Sequence, residues 1–198
     1  MKVKYIAIER EYGSAGTEIA TRVAQKCGVG CYGKEIIDEV SKRLNLPTED
    51  LEKCEQNMSN SFLYSMFLMS QSQNGNPDLI TNETKLFVAE SKVIKDFVHN
   101  GPAIFIGHCA SHVLKDMDGV VKVFIHANND FKLKRAIENY GIEPENAESI
   151  CKKFDKKRAN YYAFCTQKKW NDLKNYDLVI DSSKIGIDNC VDILASLY

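Results

Sequence analysis

Hydrophobic positions along the chain form short continuous runs that are separated by longer segments with helical spacing. Continuous apolar runs are typical of strands that are covered on both faces of a sheet. Such runs predict strands at residues 4–8, 31–32, 103–106, 120–125 and 177–180. Because each run is followed by a segment long enough for a helix, the pattern favours an α/β fold with a parallel sheet between two layers of helices.

Apolar residues at intervals of three and four predict the helices. In the first helix, Ile19, Ala20, Val23 and Ala24 fall on one face, which is the pattern of a helix packed against a sheet. The predicted helices cover residues 16–26, 34–44, 49–56, 82–98, 110–115, 128–140, 144–162 and 187–197. A further stretch, residues 62–69, is rich in aromatics and methionine. It is typical either of a helix buried against the core or a dimer partner, or of the adaptable wall of a substrate pocket.

Length and composition narrow the class of protein. A chain of 198 residues with 44% hydrophobic and 27% charged residues predicts one globular domain, residues 1–198. The net charge of −1 gives no overall attraction to nucleic acid or to a membrane surface, so any anion site must be local. Residues 1–4 lead directly into the first strand without the apolar segment of a signal peptide, and we expect a cytoplasmic protein.

The chain has seven cysteines, scattered without C-x-x-C pairs. Their odd number and irregular spacing argue against a disulfide framework and against a zinc site. We expect ordinary reduced thiols.

The turn between the first strand and the first helix is a candidate phosphate site. Glycines and small residues there precede a helix whose first-turn amides have no intrahelical partner, and such amides bind anions. A Walker-type phosphate loop also needs a lysine, but Gly16 stands at that position and no lysine lies between residues 5 and 25. Thr17 stands at the position of the hydroxyl. The same pattern also fits a tight helix entry that binds no ligand.

Cationic residues follow the fourth strand along the chain. Phosphoryl transfer depends on neutralising charge on the transferred group, so its catalysts gather arginine and lysine, often on a lid. Lys132, Arg135 and Arg158 are the candidates. A basic helix is also typical of a solvated face.

These residues as a set resemble the cytidylate kinase-like family, a branch of the nucleoside monophosphate kinases within the P-loop kinases. The motifs run in order along nearly the whole chain. They are E-R-E-Y-G-S-A-G-T-E-I-A at residues 9–20, Y-G-K-E-I-I at 32–37, A-I-F-I-G-H-C-A at 103–110, D-K-K-R-A-N-Y-Y at 155–162, K-K-W-N-D at 168–172 and Y-D-L-V-I-D-S-S-K-I-G-I-D at 176–188.

The resemblance implies a three-layer fold with a parallel sheet of about five strands, a helical acceptor-binding region near residues 35–95 and a lid near residues 140–170. It implies transfer of the γ-phosphoryl group of ATP, with Mg²⁺, to a nucleoside monophosphate or another small acceptor. We also expect that the chain can form a homo-oligomer. The implied site residues are Gly13, Ser14, Ala15, Gly16, Thr17 and Glu18 on phosphate, Thr17 on Mg²⁺, Lys132, Arg135 and Arg158 in catalysis, and Tyr32, Lys34 and His108 on the acceptor.

The chain departs from cytidylate kinases at two motifs. Because Gly16 replaces the loop lysine, catalysis would need Arg10 or a lid cation in its place. Cytidylate kinases have Gly-Arg-Asp after the third strand, where this chain has Gly107, His108 and Cys109; a thiol cannot replace the carboxylate that reads an amino group. The alternative function is therefore a nucleotide- or phosphate-binding protein with little or no kinase activity.

Overall fold

The structure, a computed structural model, describes residues 2–56 and 82–198. Its sheet has five parallel strands in the order β2-β3-β1-β4-β5, which confirms the predicted α/β fold. The strands are β1 Tyr5–Arg10, β2 Gly30–Tyr32, β3 Ala103–Ile106, β4 Val120–His126 and β5 Leu178–Asp181. β1 extends two residues beyond the prediction because Glu9 and Arg10 continue the ladder opposite Phe124 and Ile125 of β4.

The helices agree with the sequence pattern to within a few residues. They are α1 Gly16–Cys27, α2 Lys34–Leu44, α3 Thr48–Gln56, α4 Asn82–Val98, α5 Ala110–Val113, α6 Asn129–Glu138, α7 Pro144–Thr166, α8 Ser182–Ile185 and α9 Ile187–Ala195, with a 3-10 turn at Leu173–Asn175. The short α8 was not predicted, and α7 continues four residues past the predicted end. The predicted helix at residues 62–69 lies outside the described residues.

Helices cover the sheet on both faces because its strands carry apolar side chains on both. Ile6 and Ile8 of β1 face α1 and α9, where Ile19, Val23 and Leu194 are buried. The opposite face of the sheet carries Tyr5, Ala7 and Phe105 and packs against α2, α3, α4 and α5. The result is the three-layer arrangement that the resemblance implied.

A smaller aromatic cluster lies at the carboxyl end of the sheet. Phe124 of β4 packs there against Tyr161 and Tyr162 of α7 and against Trp170 and Tyr176 from the segment after it. The Tyr176 hydroxyl donates to the Trp170 carbonyl oxygen at 2.7 Å. These contacts place the carboxyl-terminal half of α7 and the indole of Trp170 over the ends of β1 and β4.

The last two residues of β1 leave the strand on opposite faces. Glu9 follows Tyr5 and Ala7 in the alternation and reaches Trp170, whereas Arg10 follows Ile6 and Ile8 and runs past the start of α1. The carboxyl end of the central strand thus presents the carboxylate of Glu9 on one face of the sheet and the guanidinium of Arg10 on the other. Ligands of open parallel sheets bind at this end.

Candidate active site

The turn after β1 has the backbone of an anion-binding loop. Gly13 and Ala15 are both left-handed, with φ of 79° and 62°. A Cβ on Gly13 would lie 2.8 Å from the carbonyl oxygen of Lys132, so no larger residue fits without a shift of the backbone. The turn is therefore fixed in shape by close packing against the start of α6.

Hydrogen bonds hold the turn from below. The hydroxyl of the fully buried Ser14 donates to the Glu11 carbonyl at 2.8 Å, and the Ser182 hydroxyl donates to the Ser14 carbonyl at 2.7 Å. Ile19 is the first residue of α1 whose amide bonds within the helix, to Ala15. The amides before it, from Gly16 to Glu18, are therefore available to an anion.

Two of these residues, Gly16 and Thr17, line a cleft of about 270 Å³, which we call the donor cleft. Thr17, at the position predicted to bind a metal, is exposed in its wall. The donor cleft is lined by Arg10, Glu11, Tyr12, Gly13, Ala15, Gly16, Thr17, Tyr140 and Arg158. Ser14 supports the turn from beneath and does not belong to this lining.

Arg10 occupies the space beside the loop in which a lysine at position 16 would begin. A Cβ on Gly16 would lie 2.5 Å from the Cβ of Arg10. A Cβ on Gly107 would overlap Nη1 of the same arginine. Gly16 and Gly107, one on each side, thus leave room for the Arg10 side chain, which runs from the loop to the end of β3.

Arg158 of α7 lies against the same strand end. Its Nη1 donates to the carbonyl oxygen of Arg10 at 2.9 Å, and its guanidinium carbon lies 5.8 Å from the ring centre of Tyr12. The structure thus brings together two predicted cations that lie 148 positions apart in the sequence. Both line the donor cleft and the larger cleft beside it.

Lys132 lies behind the loop in a network of ion pairs. Its Nζ is 3.0 Å from Glu11 Oε2 and 3.2 Å from Asp155 Oδ2, and Asp155 Oδ1 accepts from the Tyr12 amide at 2.6 Å. Burial lowers the pKa of Lys132, but the two carboxylates outweigh it and raise the pKa above the ordinary value. Lys132 therefore ties the loop to α6 and α7, a contact that sequence did not predict.

Arg135 and Glu18 pair with each other at the outer edge of α1. Arg135 Nη2 donates to Glu18 Oε2 at 2.6 Å, and its guanidinium carbon lies 5.9 Å from the Phe131 ring centre. Neither side chain lines the donor cleft. The predicted catalytic arginine and the predicted phosphate-binding glutamate thus form a link between α1 and α6.

The second cleft, of about 390 Å³, lies on the other side of Arg10 and Arg158, and we call it the acceptor cleft. Two of the three predicted acceptor residues, Lys34 and His108, line it. Tyr32 instead stacks on Phe97 with ring centres 4.3 Å apart. The lining is Glu9, Arg10, Gly33, Lys34, Ile37, Glu52, Gly107, His108, Cys109, Phe154, Lys157, Arg158, Tyr161 and Tyr162.

His108 is held by the carboxylate of Glu90, a residue that sequence analysis did not select. Its Nδ1 lies 2.9 Å from Oε1 of Glu90, a fully buried residue of α4, and Glu90 Oε2 accepts from the Tyr161 hydroxyl. His108 and Cys109 both have positive φ, of 51° and 53°. Such backbone angles are unusual outside glycine and are characteristic of functional turns. A charged residue on the apolar face of a helix, as Glu90 is on α4, was the sequence signal that could have identified it.

Glu9 is the second buried carboxylate of the acceptor cleft, and sequence analysis did not select it. It is 5% exposed, and its Oε2 accepts from Trp170 Nε1 at 3.3 Å. Oε1 has no hydrogen-bond partner among the described residues. Burial raises the pKa of Glu9, and Arg10 and Arg158 oppose that shift only in part.

The described residues contain neither a cluster of metal-binding side chains nor a membrane-spanning helix. Within residues 2–56 and 82–198, no three His, Cys, Asp or Glu side chains are grouped so that they could hold a metal ion. The helices of the same residues include none with the length and apolar character that crossing a bilayer requires.

Solved structures share this architecture at low sequence identity. An uncharacterised protein from Eubacterium ventriosum ATCC 27560 is 24% identical, with a TM-score of 0.71 over 97% of this chain and 96% of that one. A shikimate kinase from Bacteroides thetaiotaomicron is 14% identical, with a TM-score of 0.53 over 98% and 97%. A shikimate kinase from Acinetobacter baumannii, in complex with shikimate, is 11% identical, with a TM-score of 0.51 over 98% and 92%. The fold is that of the P-loop kinases.

No curated protein matches the chain in sequence. The sequence does match a protein family: residues 5–184 match the cytidylate kinase-like family. That match includes β1, both clefts and all of α7. The chain therefore belongs to the cytidylate kinase-like family.

Proposed function

We propose that the protein is a phosphotransferase that moves the γ-phosphoryl group of ATP to a nucleoside monophosphate or another small acceptor. The observation that carries this proposal is the position of Arg10 and Arg158, which line both the donor cleft and the acceptor cleft. Phosphoryl transfer needs cations between donor and acceptor, where charge is redistributed over the transferred group. A protein that only bound a nucleotide would not require cations shared by two clefts.

The loop and its neighbours have separate roles in this proposal. The amides of Gly16, Thr17 and Glu18 bind the β and γ phosphates, supported by the helix dipole. Arg10 takes the role of the absent lysine, because its side chain fills the space next to Gly16. Arg158 neutralises the transferred phosphoryl group from the lid, residues 140–170.

Mg²⁺ fits the donor cleft through Thr17. Magnesium in such enzymes keeps several waters and needs only one or two protein ligands in addition to phosphate oxygens, so a cage of three carboxylates is not required. When bound, the ion neutralises charge on the β and γ phosphates. The exposed hydroxyl of Thr17 at the first turn of α1 is the ligand that this chain offers.

We propose that the region near residues 35–95, which contributes Ile37 and Glu52 to the acceptor cleft, binds the acceptor. Lys34 supplies positive charge there, and His108 can donate to a phosphate when it is protonated. Solved structures that share the fold are named shikimate kinases, which is in keeping with a small acceptor. We propose that residues 1–198 form one domain whose lid, residues 140–170, closes over both substrates.

The alternative is a nucleotide-binding protein of the same fold with little transferase activity. Two observations favour it: Gly16 replaces the loop lysine, and Lys132 is held by Glu11 and Asp155. On this view Arg10 and Arg158 would bind phosphate without catalysing its transfer.

Two measurements separate these functions. ATP with Mg²⁺ should raise the melting temperature, because a ligand at about 100 times its Kd adds about 2.7 kcal/mol, or roughly 5–10 °C in a chain of this size. Arg158→Ala should then lower label transfer from γ-labelled ATP by about 1,000-fold with little change in ATP binding. Lys156→Ala, an exposed change on the same helix, is the matched control.

The outcomes assign the function. No thermal shift with ATP would remove the donor-site proposal altogether. A normal shift with no transfer to any acceptor would favour the alternative. Equal losses of binding and turnover in Arg158→Ala would make Arg158 a binding residue.

A further inference from the structure

A buried acid lines the acceptor cleft beside the two shared cations. Glu9 is the penultimate residue of β1, next to Arg10, and only 5% of it is exposed. One carboxylate oxygen accepts from Trp170, and the other has no partner within residues 2–56 and 82–198. Buried polar atoms are almost always hydrogen-bonded in folded proteins, so an exception in a cleft indicates a group that bonds to a ligand.

The groups around Glu9 come from four parts of the fold. They are Arg10 of β1, Arg158 and Tyr162 of α7, His108 and Cys109 of the turn after β3, and Trp170 and Tyr176 after α7. Burial raises the pKa of Glu9, and the nearby cations lower it by less. A carboxylate whose pKa moves toward neutrality is suited to accept a proton at physiological pH.

The two kinds of acceptor make opposite demands on such a residue. A phosphate that attacks ATP is already an anion, needs no base, and would be repelled by a buried carboxylate. A hydroxyl that attacks ATP donates a hydrogen bond and must lose its proton. A hydroxyl acceptor would give Glu9 Oε1 both a hydrogen-bond donor and a proton to accept.

We propose that Glu9 is the general base of the reaction and that the attacking group of the acceptor is a hydroxyl. This inference rests on the proposed phosphotransferase function and names the chemical class of its acceptor, a small alcohol. The aromatic side chains of Phe154, Tyr161 and Tyr162 in the same cleft suit an alcohol with a planar or apolar body, such as a nucleoside.

The step balances without a further reactant. The acceptor hydroxyl gives its proton to Glu9 Oε1 as its oxygen forms a bond to the γ phosphorus of ATP. The bond from that phosphorus to the β,γ-bridging oxygen breaks, and ADP leaves with the electron pair. Arg10 and Arg158 neutralise the transferred group, and Glu9 later releases the proton to solvent.

A matched pair of substrate panels tests the acceptor class. The full chain is incubated with γ-labelled ATP and Mg²⁺, first with a panel of nucleosides and then with the corresponding nucleoside monophosphates. We expect label in new monophosphates formed from nucleosides, at a rate at least about tenfold above the rate with the monophosphate panel.

Glu9→Gln tests the residue. The amide keeps the size of the side chain and an oxygen that accepts from Trp170, so a merely structural role predicts little change. A general base predicts a fall in turnover of about 10²–10⁴-fold with ATP binding unchanged, as measured by the ATP-induced thermal shift. The control is Glu145→Gln, an exposed change in the first turn of α7.

The pH profile supplies a second readout. Wild-type turnover should fall tenfold per pH unit below the pKa of Glu9, since the protonated acid cannot act as a base; Glu9→Gln should lose this acid limb. Label transfer to monophosphates alone would overturn the role of Glu9 while leaving the phosphotransferase intact. Transfer to neither panel, with ATP bound, would overturn the enzyme as a whole. Glu9→Gln with unchanged turnover would make the residue structural.

Discussion

At the scale of single residues, glycine at position 16 of the loop leaves room for the side chain of Arg10, which comes from the strand before the loop. The sequence shows only that glycine stands at position 16. The structure shows the reason: the first carbons of the Arg10 side chain run beside Gly16, so a side chain there and Arg10 cannot keep their places together. In the proposed phosphate site the cation therefore comes from β1, the strand before the loop.

Gly16→Ala should therefore destabilise the protein. Its Cβ would lie 2.5 Å from that of Arg10, and overpacking of this kind costs about 1–3 kcal/mol. In the Arg10→Gly background, which removes the Cβ at position 10, the same change should be neutral or stabilising, because alanine favours a helix over glycine. Thermal melting of the two single variants and the double variant measures the coupling. Additive effects would show that Arg10 is not the obstacle.

At the scale of elements, α7 holds the phosphate loop in place from above. Asp155 accepts from the Tyr12 amide and pairs with Lys132, and Phe154 stacks on the Tyr12 ring with centres 4.7 Å apart. Arg158 adds a hydrogen bond to the end of β1. The position of α7 and the shape of the donor cleft are consequently coupled through one turn of that helix.

Lys132→Met should lower the free energy of unfolding by about 2–3 kcal/mol, because it leaves Glu11 and Asp155 partly buried without their shared cation. Lys152→Met is the matched control. It breaks an exposed pair with Glu148 and should change the free energy of unfolding far less than Lys132→Met does. Denaturant unfolding measures both. A Lys132→Met variant with normal stability and no turnover would instead place Lys132 on the phosphates.

The elements of this fold were predictable because apolar runs and helical spacing are strong local signals. The ends of β1 and the support of the site were not. Glu9 and Arg10 read as loop residues because they are charged, and only the ladder with β4 shows them as strand. The bond from Tyr12 to Asp155 joins residues 143 positions apart, and Glu90 lies on the apolar face of its helix. No local pattern encodes such partners.

At the scale of the whole molecule, the donor and acceptor clefts meet at Arg10 and Arg158 and form one continuous site. A ligand that fills both clefts through one linker gains from the effective concentration of its second half. The length of that linker depends on the acceptor. ATP and a nucleoside together contain three phosphorus atoms, whereas ATP and a monophosphate contain four. With one phosphate added to span the gap between the two substrates, the matching linkers have four and five phosphates.

We therefore expect diadenosine tetraphosphate to raise the melting temperature more than diadenosine pentaphosphate at equal concentration. The extra phosphate of the longer compound would lie against Glu9 in the acceptor cleft and be repelled. In Glu9→Gln the difference should shrink or reverse. Stronger stabilisation of the wild type by the pentaphosphate would indicate a phosphate acceptor.

The alternation of side chains at the end of β1 restricts how this site can change. Glu9 lines only the acceptor cleft, whereas Arg10 also reaches the donor cleft, because neighbouring strand residues face opposite ways. Inserting or deleting one residue in β1 would exchange the faces on which the acid and the cation lie. Neither side chain could then take its proposed role. Variation in acceptor should therefore arise from α2, α4 and α7, whose side chains can be replaced singly, while the length of the strand between Tyr5 and the loop stays constant.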